Sequence, residues 1–148
     1  MTEPGRPKPT KEPGGTILYI DDSLINQRLV SRIFERQAAA VVVVPAVLGR
    51  QGLELARARP DVILLDLTLQ DMSGEEVLAR LREDPELRAI PVIILSADAS
   101  AATAARLAAM GARAYVSKPF SIAAFLDVVR PFLPQGTTDG DASPQGDV

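Results

Sequence analysis

Five apolar runs recur along the chain, and they constrain its fold more than any other feature. Each run is rich in valine, isoleucine, leucine or alanine and is mostly continuous rather than alternating with polar residues. Continuous runs of this length are typical of strands buried on both faces, as in a parallel sheet. The runs are TILYI (16–20), AVVVV (40–44), DVILLDL (61–67), PVIILSA (91–97) and ARAYVS (112–117).

The segments between these runs have helical spacing. Residues 23–37 place Leu29, Ile33 and Phe34 on one stripe, with Ser23 as the N-cap. The weakest helical segment is 45–60, where Pro45 and two glycines surround a short helix. Three further helices are predicted from residues typical of helix ends. Ser73 and Glu76 form a capping box at the start of one, Gly111 ends the next, and the last begins at Ser121 and ends or kinks at Pro131. The alternation of strand and helix predicts an α/β fold, a parallel sheet with helices on both faces.

The two ends of the chain differ from the middle in composition. Residues 1–14 are rich in proline and glycine, and residues 134–148 are similar in style and acidic. We expect both to be disordered tails or linkers. One folded domain is predicted over residues 15–133.

Composition excludes several classes of function. The 148 residues include no histidine and no cysteine, so the chain has no Ser-His-Asp triad, no zinc site with His or Cys ligands and no disulfide. The formal net charge of −3 argues against nucleic-acid binding. No apolar run has the length of a membrane span, and we expect a cytoplasmic protein with no membrane partner.

Polar residues stand where four of the five predicted strands end. An aspartate such as Asp66 is costly at the end of a buried strand unless another group compensates it. In a parallel sheet these strand ends meet at one edge, so three carboxylates would crowd there. Mg²⁺ suits a site of carboxylate oxygens, and a lysine adds a compact positive charge. The residues are Asp21, Asp22, Asp66, Ser96 and Lys118.

Taken singly, each of these residues has an ordinary explanation as a turn, a helix cap or a solvated charge. Taken together, they resemble the receiver domain of response regulators in two-component and phosphorelay systems, over about residues 15–133. The resemblance implies a flavodoxin-like, doubly wound sheet of five strands in the order 2-1-3-4-5, flanked by five helices. It depends on Ile20–Ser23, Asp66 with Leu69, Met72 and Gly74, Ser96–Ala97, and Tyr115–Phe120.

The resemblance also assigns roles to the site residues. Asp66 would be the phosphoacceptor, and the donor would be a histidine kinase or a histidine phosphotransfer protein. Mg²⁺ would be held by Asp22, Asp66 and the backbone carbonyl of Thr68, with Asp21 acting through a water. Lys118 and Ser96 would contact the phosphoryl oxygens, and Lys118–Pro119 is a candidate cis peptide.

Phosphorylation is expected to act as a switch. Ser96 would move toward the phosphoryl group and Tyr115 would rotate inward, changing the affinity of the face formed by the fourth helix, fifth strand and fifth helix for a downstream protein. Thr68 and Asp98 would flank the route of the attacking water and tune the phosphoryl lifetime. Gln70 stands where the family usually has proline, which predicts a less rigid loop after Asp66.

Three alternatives compete with this interpretation, and a fourth concerns the protein to which the domain belongs. A Mg²⁺-dependent phosphatase with an aspartyl nucleophile usually carries a second aspartate where Thr68 stands, so we expect no enzyme beyond self-catalysed phosphotransfer and dephosphorylation. A nucleotide-binding fold would need a glycine-rich loop after the first strand. A degenerate receiver could serve as a phosphorylation-independent binding module. The chain could also be the terminal receiver of a hybrid histidine kinase.

Overall fold

The computed structural model describes residues 14–38, 40–98 and 100–134. Both predicted terminal segments lie almost wholly outside the described residues. Within them, strands and helices alternate in chain order. The strands are β1 (Gly15–Ile20), β2 (Val41–Ala46), β3 (Val62–Asp66), β4 (Val92–Ser96) and β5 (Ala114–Ser117). The helices are α1 (Leu24–Gln37), α2 (Gly49–Leu55), α3 (Gly74–Glu83), α4 (Ala101–Ala109) and α5 (Ile122–Val129).

The five strands form one parallel sheet in the order β2-β1-β3-β4-β5, which confirms the predicted flavodoxin-like topology. The order reverses between β1 and β3, so the connections from these two strands run to opposite sides. A crevice opens at the carboxyl ends of such neighbouring strands. Asp21 and Asp66 stand at this point of the sheet.

The sheet divides the core into two apolar layers. One layer packs β1 residues such as Ile17 against α1 and α5, through Phe34 and Phe125. The other packs the opposite face of the sheet against α2, α3 and α4, through residues such as Leu78 and Leu107. The central strands β1, β3 and β4 are therefore almost completely buried, as their continuous apolar runs predicted.

Helix starts follow the predicted caps. The hydroxyls of Ser23, Ser73 and Ser121 each accept the backbone N–H three residues later. At Gly111, just after α4, φ is +107°, a conformation that glycine adopts readily. Pro131 lies in a short 3-10 turn, Arg130–Phe132, that follows α5.

Two details of the sequence prediction were wrong. Leu29 is 51% exposed rather than part of the buried stripe of α1, because the buried face runs through Gln27 and Val30 to Ile33 and Phe34. The second strand extends through Pro45 to Ala46, two residues beyond its apolar run. Proline is tolerated there because β2 is an edge strand and its missing N–H costs no sheet hydrogen bond.

None of the helices in the described part of the chain is long and apolar enough to cross a membrane.

Candidate functional site

Three carboxylates meet at the crevice between β1 and β3. Carboxylate oxygens of Asp21, Asp22 and Asp66 all lie within 4.8 Å of one another. Lys118 Nζ lies 2.8 Å from Asp66 Oδ1 and 3.7 Å from Asp21 Oδ2. The structure therefore brings together four of the five residues that the strand ends singled out, contributed by three different strands.

The fifth residue, Ser96, ends the neighbouring strand β4 and is buried. Its hydroxyl accepts the backbone N–H of Asp98 at 3.1 Å. The Ser96 side chain therefore bonds the loop that follows β4. Among the described residues, no hydrogen bond joins the Ser96 hydroxyl to Asp66 or Lys118.

Burial makes the ionised form of Asp66 unfavourable, as its position at the end of a buried strand predicted. The residue is 8% exposed, and burial raises the pKa of its carboxyl above the ordinary value. The hydrogen bond and charge of Lys118 oppose that rise, while the charge of Asp21 adds to it. The backbone N–H of Thr68 donates to Asp66 Oδ2 at 3.1 Å and also favours the ionised form. Lys118 is thus the main protein group that compensates the buried charge.

Asp21 is held by three donors from its own end of the sheet. Asp21 Oδ2 accepts from the Tyr19 hydroxyl at 2.5 Å and from Asn26 Nδ2 at 3.1 Å, and Oδ1 accepts the Ser23 N–H at 2.9 Å. Sequence reasoning missed Tyr19 and Asn26. The available signal was a tyrosine in an otherwise aliphatic strand, two residues before Asp21 and so on the same side of it.

Gln27 is a second residue that sequence reasoning missed. It is buried, and its Nε2 donates to the carbonyls of Tyr19, Asp21 and Ala46 at 3.0–3.1 Å. These bonds tie α1 to the carboxyl ends of β1 and β2, which places the Asp21–Asp22 dipeptide relative to the sheet. A buried glutamine on the apolar face of a helix is recognisable only once that face is known.

The donor set fits a hard divalent cation. All three acidic groups offer oxygen, and no described residue donates a hydrogen bond to the half-buried carboxylate of Asp22. Three close carboxylates with one lysine leave an excess of negative charge, which Mg²⁺ would neutralise. The Thr68 main chain lies next to this cluster, since its N–H donates to Asp66 Oδ2.

Hydrogen bonds hold the loop between β3 and α3 at two points. Asp71 accepts the N–H groups of Gly49 and Arg50 at the start of α2, at 2.7 and 3.0 Å. Those bonds lower the pKa of the Asp71 carboxyl, the Arg50 N–H contributing most. The Gly74 N–H donates to the Leu67 carbonyl at 2.8 Å, and a Cβ at Gly74 would stand 2.6 Å from the Asp66 carbonyl oxygen. Asp71 thus anchors the loop one residue after Gln70.

The side chain of Lys118 is positioned by its backbone and its neighbours. The Lys118–Pro119 peptide is cis. The Lys118 N–H donates to the Ser96 carbonyl at 2.7 Å, which extends the β4–β5 pairing to the strand end. Phe120 stacks on the buried ring of Phe125, with ring centroids 4.8 Å apart. These contacts hold the loop after β5 over the sheet edge.

Tyr115 on β5 and Asp98 in the loop after β4 are hydrogen-bonded to each other near the end of β4. The Tyr115 hydroxyl donates to the Asp98 carbonyl. The exposed Asp98 carboxylate accepts from the Ser100 N–H at 2.9 Å and from the Thr103 hydroxyl at 2.8 Å. These bonds lower the pKa of Asp98. Ser96, Asp98 and Tyr115 therefore form one chain of contacts that runs from the site edge to the start of α4.

The comparisons with known proteins agree with one another. Residues 17–130 match the response regulator receiver domain family. The polar-differentiation response regulator DivK of Brucella anthropi is 35% identical over 119 residues, which are 80% of this chain and 95% of that protein. DivK of Brucella ovis is 34% identical over the same share of each chain.

Solved structures resemble the chain over a similar range. The chemotaxis protein CheY4 of Vibrio cholerae is 28% identical with a TM-score of 0.72, covering 80% of this chain and 98% of that one. The receiver domain of the sensor histidine kinase PA1611 of Pseudomonas aeruginosa is 25% identical with a TM-score of 0.71, covering 80% and 97%. That structure has a magnesium ion coordinated in its active-site cleft.

Proposed function

Since this chain belongs to the response regulator receiver family, we propose that Asp66 accepts a phosphoryl group from a phosphohistidine on a histidine kinase or histidine phosphotransfer protein. The observation that carries the proposal is the position of the Asp66 carboxylate. It lies 2.8 Å from Lys118 Nζ, beside two further carboxylates in a crevice at the strand ends. A buried acid held between a lysine and an acidic cluster is costly for the fold and is suited to phosphoryl chemistry.

The proposed reaction is a transfer between two nucleophiles. An Asp66 carboxylate oxygen attacks the phosphorus, the bond from phosphorus to the donor imidazole nitrogen breaks, and an acyl phosphate forms while that nitrogen takes up a proton. Lys118 supplies a positive charge and a donor for the phosphoryl oxygens. Mg²⁺, when bound, neutralises charge on those oxygens; Asp22, Asp66 and the Thr68 carbonyl would hold it, with Asp21 acting through a water.

The chain's own chemistry ends at self-catalysed phosphotransfer and dephosphorylation, so we class it as a signalling domain rather than an enzyme. Thr68 occupies the place of the second aspartate that aspartyl phosphatases use. Thr68 and Asp98 flank the Asp66 and Ser96 strand ends, where side chains would meet water approaching the acyl phosphate. We assign these two residues to tuning the phosphoryl lifetime.

Phosphorylation of Asp66 would be reported by Ser96 and Tyr115. The Ser96 hydroxyl now accepts from the Asp98 N–H, and the Tyr115 hydroxyl donates to the Asp98 carbonyl. A phosphoryl group on the adjacent strand end would accept a hydrogen bond from the Ser96 hydroxyl. Movement of Ser96 toward that group would break its bond with the Asp98 N–H and free the loop that Tyr115 holds. The α4–β5–α5 face would then change its affinity for a downstream protein in the cytoplasm.

An exposed apolar patch supports a protein as the phosphodonor. Ile25 and Leu29 on α1 are 79% and 51% exposed, and Ile122 at the start of α5 is exposed nearby. Leu29 also lines a cavity of about 380 Å³ with Lys118 and Pro119, so the patch reaches the edge of the site. Clustered exposed apolar side chains of this kind mark protein contacts.

The experiment is intact-mass measurement of the full chain after incubation with Mg²⁺ and a small acyl-phosphate donor. We expect one added phosphoryl group on the wild type, none on Asp66→Asn, and none after EDTA treatment. Asp127→Asn, which changes an exposed acid on α5, is the matched control and should gain the group. A folded wild type that gains no mass from this donor or from a phosphohistidine protein would overturn the proposal and favour a phosphorylation-independent binding module.

A further inference from the structure

The buried segment of β1, residues 17–20, contributes one polar side chain, Tyr19, to the apolar layer that packs against α1. The residue is 1% exposed and packs among aliphatic and aromatic side chains such as Val30 and Phe34. The Tyr19 hydroxyl donates a hydrogen bond to Asp21 Oδ2, and the packing of the ring fixes the direction of that bond.

The acceptor capacity of Asp21 is almost used up by the protein. A carboxylate has about four lone-pair positions. On Oδ2, the Tyr19 hydroxyl and Asn26 Nδ2 take both, and on Oδ1 the Ser23 N–H takes one. Only one Oδ1 position is left to face the crevice. Asp21 can thus offer a single oxygen position to a cation or to a water bound by it.

The same count decides where Lys118 donates. Its ammonium lies within reach of two carboxylates but is 2.8 Å from Asp66 Oδ1 and 3.7 Å from Asp21 Oδ2. The nearer Asp21 oxygen is the one that Tyr19 and Asn26 already saturate. Without the Tyr19 proton, Oδ2 would have a free lone pair in a buried place and would attract the ammonium.

We propose that Tyr19 is a positioning residue that saturates Asp21 Oδ2, keeps Lys118 on Asp66, and limits the negative charge that the acidic cluster offers to a cation. The effect of Tyr19 on the phosphorylation of Asp66 rests on the proposed function. The hydroxyl touches neither the phosphoacceptor nor the expected phosphoryl group, so its effect passes through Asp21 and Lys118.

The test is Tyr19→Phe, which removes one oxygen and keeps the buried ring. Ser31→Ala is the control, since it removes one half-buried hydroxyl from α1 at a residue outside the site. Titration calorimetry with Mg²⁺ should show Tyr19→Phe binding about fivefold more tightly than wild type, because the carboxylates lose a competing donor. At saturating Mg²⁺, phosphorylation by a small acyl phosphate should be about fivefold slower, because Asp21 shares Lys118.

These opposite changes separate positioning from simple loosening of the fold, which would weaken both cation binding and phosphorylation. An unchanged or weaker Mg²⁺ affinity in Tyr19→Phe, or an unchanged phosphorylation rate, overturns the proposal. If the wild type is not phosphorylated at all, the proposed function fails, while the Mg²⁺ affinities still decide whether Tyr19 limits the charge of the cluster.

A measurement on the wild type avoids dependence on the variant's folding. The proton of the buried Tyr19–Asp21 hydrogen bond should exchange slowly with solvent and give an observable hydroxyl resonance. We expect that resonance to persist at saturating Mg²⁺. Its loss on adding Mg²⁺ would mean that Tyr19 releases Asp21 when the site fills, and would overturn the proposal.

Discussion

Lys118 Nζ donates to Asp66 Oδ1 at 2.8 Å, a contact that joins the ends of β3 and β5 across 52 residues of sequence. The bond explains how a carboxylate can stand at the end of a buried strand, because the ammonium offsets part of its desolvation. It also places a donor where transferring phosphoryl oxygens would lie. One ion pair therefore serves the stability of the site and its proposed chemistry.

Replacement of Lys118 should separate these two roles. In Lys118→Met we expect the phosphorylation rate of Asp66 to fall by roughly 10²-fold, since one preorganised donor to the transferring group is lost. The pKa of Asp66 should rise further, because the lysine is the main group that lowers it. The rate is measured as mass gained over time with a small acyl-phosphate donor. A rate within twofold of wild type would contradict the role of Lys118.

Asp66→Asn should stabilise the fold while abolishing phosphorylation. The folded-state pKa of Asp66 is raised, so its protonated form is favoured by folding and its ionised form opposes folding at neutral pH. We expect the free energy of unfolding to rise by on the order of 1 kcal/mol or less at pH 7 without Mg²⁺. The rise is small because the substitution also takes the carboxylate partner away from Lys118.

The pH dependence checks the sign of this effect. The gain should be full above the folded-state pKa of Asp66 and should shrink as the pH falls through that pKa toward the ordinary aspartate value, where the wild-type carboxyl is also neutral. Urea unfolding of both proteins across this range measures it, with Asp127→Asn as the control. A gain that does not change with pH would point to packing rather than to charge.

Asp71→Ala should loosen the loop that follows the phosphoacceptor. Its carboxylate caps the start of α2 from a distant loop, and its loss should cost about 0.5–1 kcal/mol of unfolding free energy, at the low end for a cap because Asp71 is exposed. The amides of Gly49 and Arg50 should exchange with solvent faster. Gln70→Ala is the control, and equal exchange in the two variants would argue against the anchor.

The Asp71 contribution should depend on pH in the opposite sense to that of Asp66. The folded-state pKa of Asp71 is lowered by the N–H groups it accepts, so its stabilisation is present above the ordinary aspartate pKa and is lost as the pH falls through the lowered value. Exchange rates of the Gly49 and Arg50 amides in the wild type, measured on both sides of that range, would report the loss.

Ile25→Ala should impair transfer from a protein donor and leave transfer from a small donor unchanged. The side chain is 79% exposed, so its loss should disturb the core little, and an effect confined to the protein donor would locate the docking surface. We expect a fall of roughly fivefold or more in transfer from a phosphohistidine protein. Val42→Ala, on the exposed edge strand β2, is the matched control. Equal effects on both donors would place Ile25 in the site itself.

The sequence predicts much of the architecture. Three continuous apolar runs became the buried central strands, because a strand covered on both faces needs apolar residues on both. The edges were less predictable. Pro45 was predicted to begin the weak helical segment 45–60, yet it lies within β2, where only one side of the strand needs hydrogen-bond partners. Leu29 has a core residue's chemistry and lies exposed on α1.

The order of residues along the chain is enough to predict which groups reach the site, because parallel strands bring Asp21, Asp22, Asp66 and Lys118 to one edge. How those groups share hydrogen bonds depends on the folded structure. Lys118 donates to Asp66 rather than to Asp21 because the Tyr19 hydroxyl and the Asn26 amide already occupy the competing oxygen. Such choices depend on differences of about an ångström between side chains from separate elements, and periodicity along a chain carries no information at that scale.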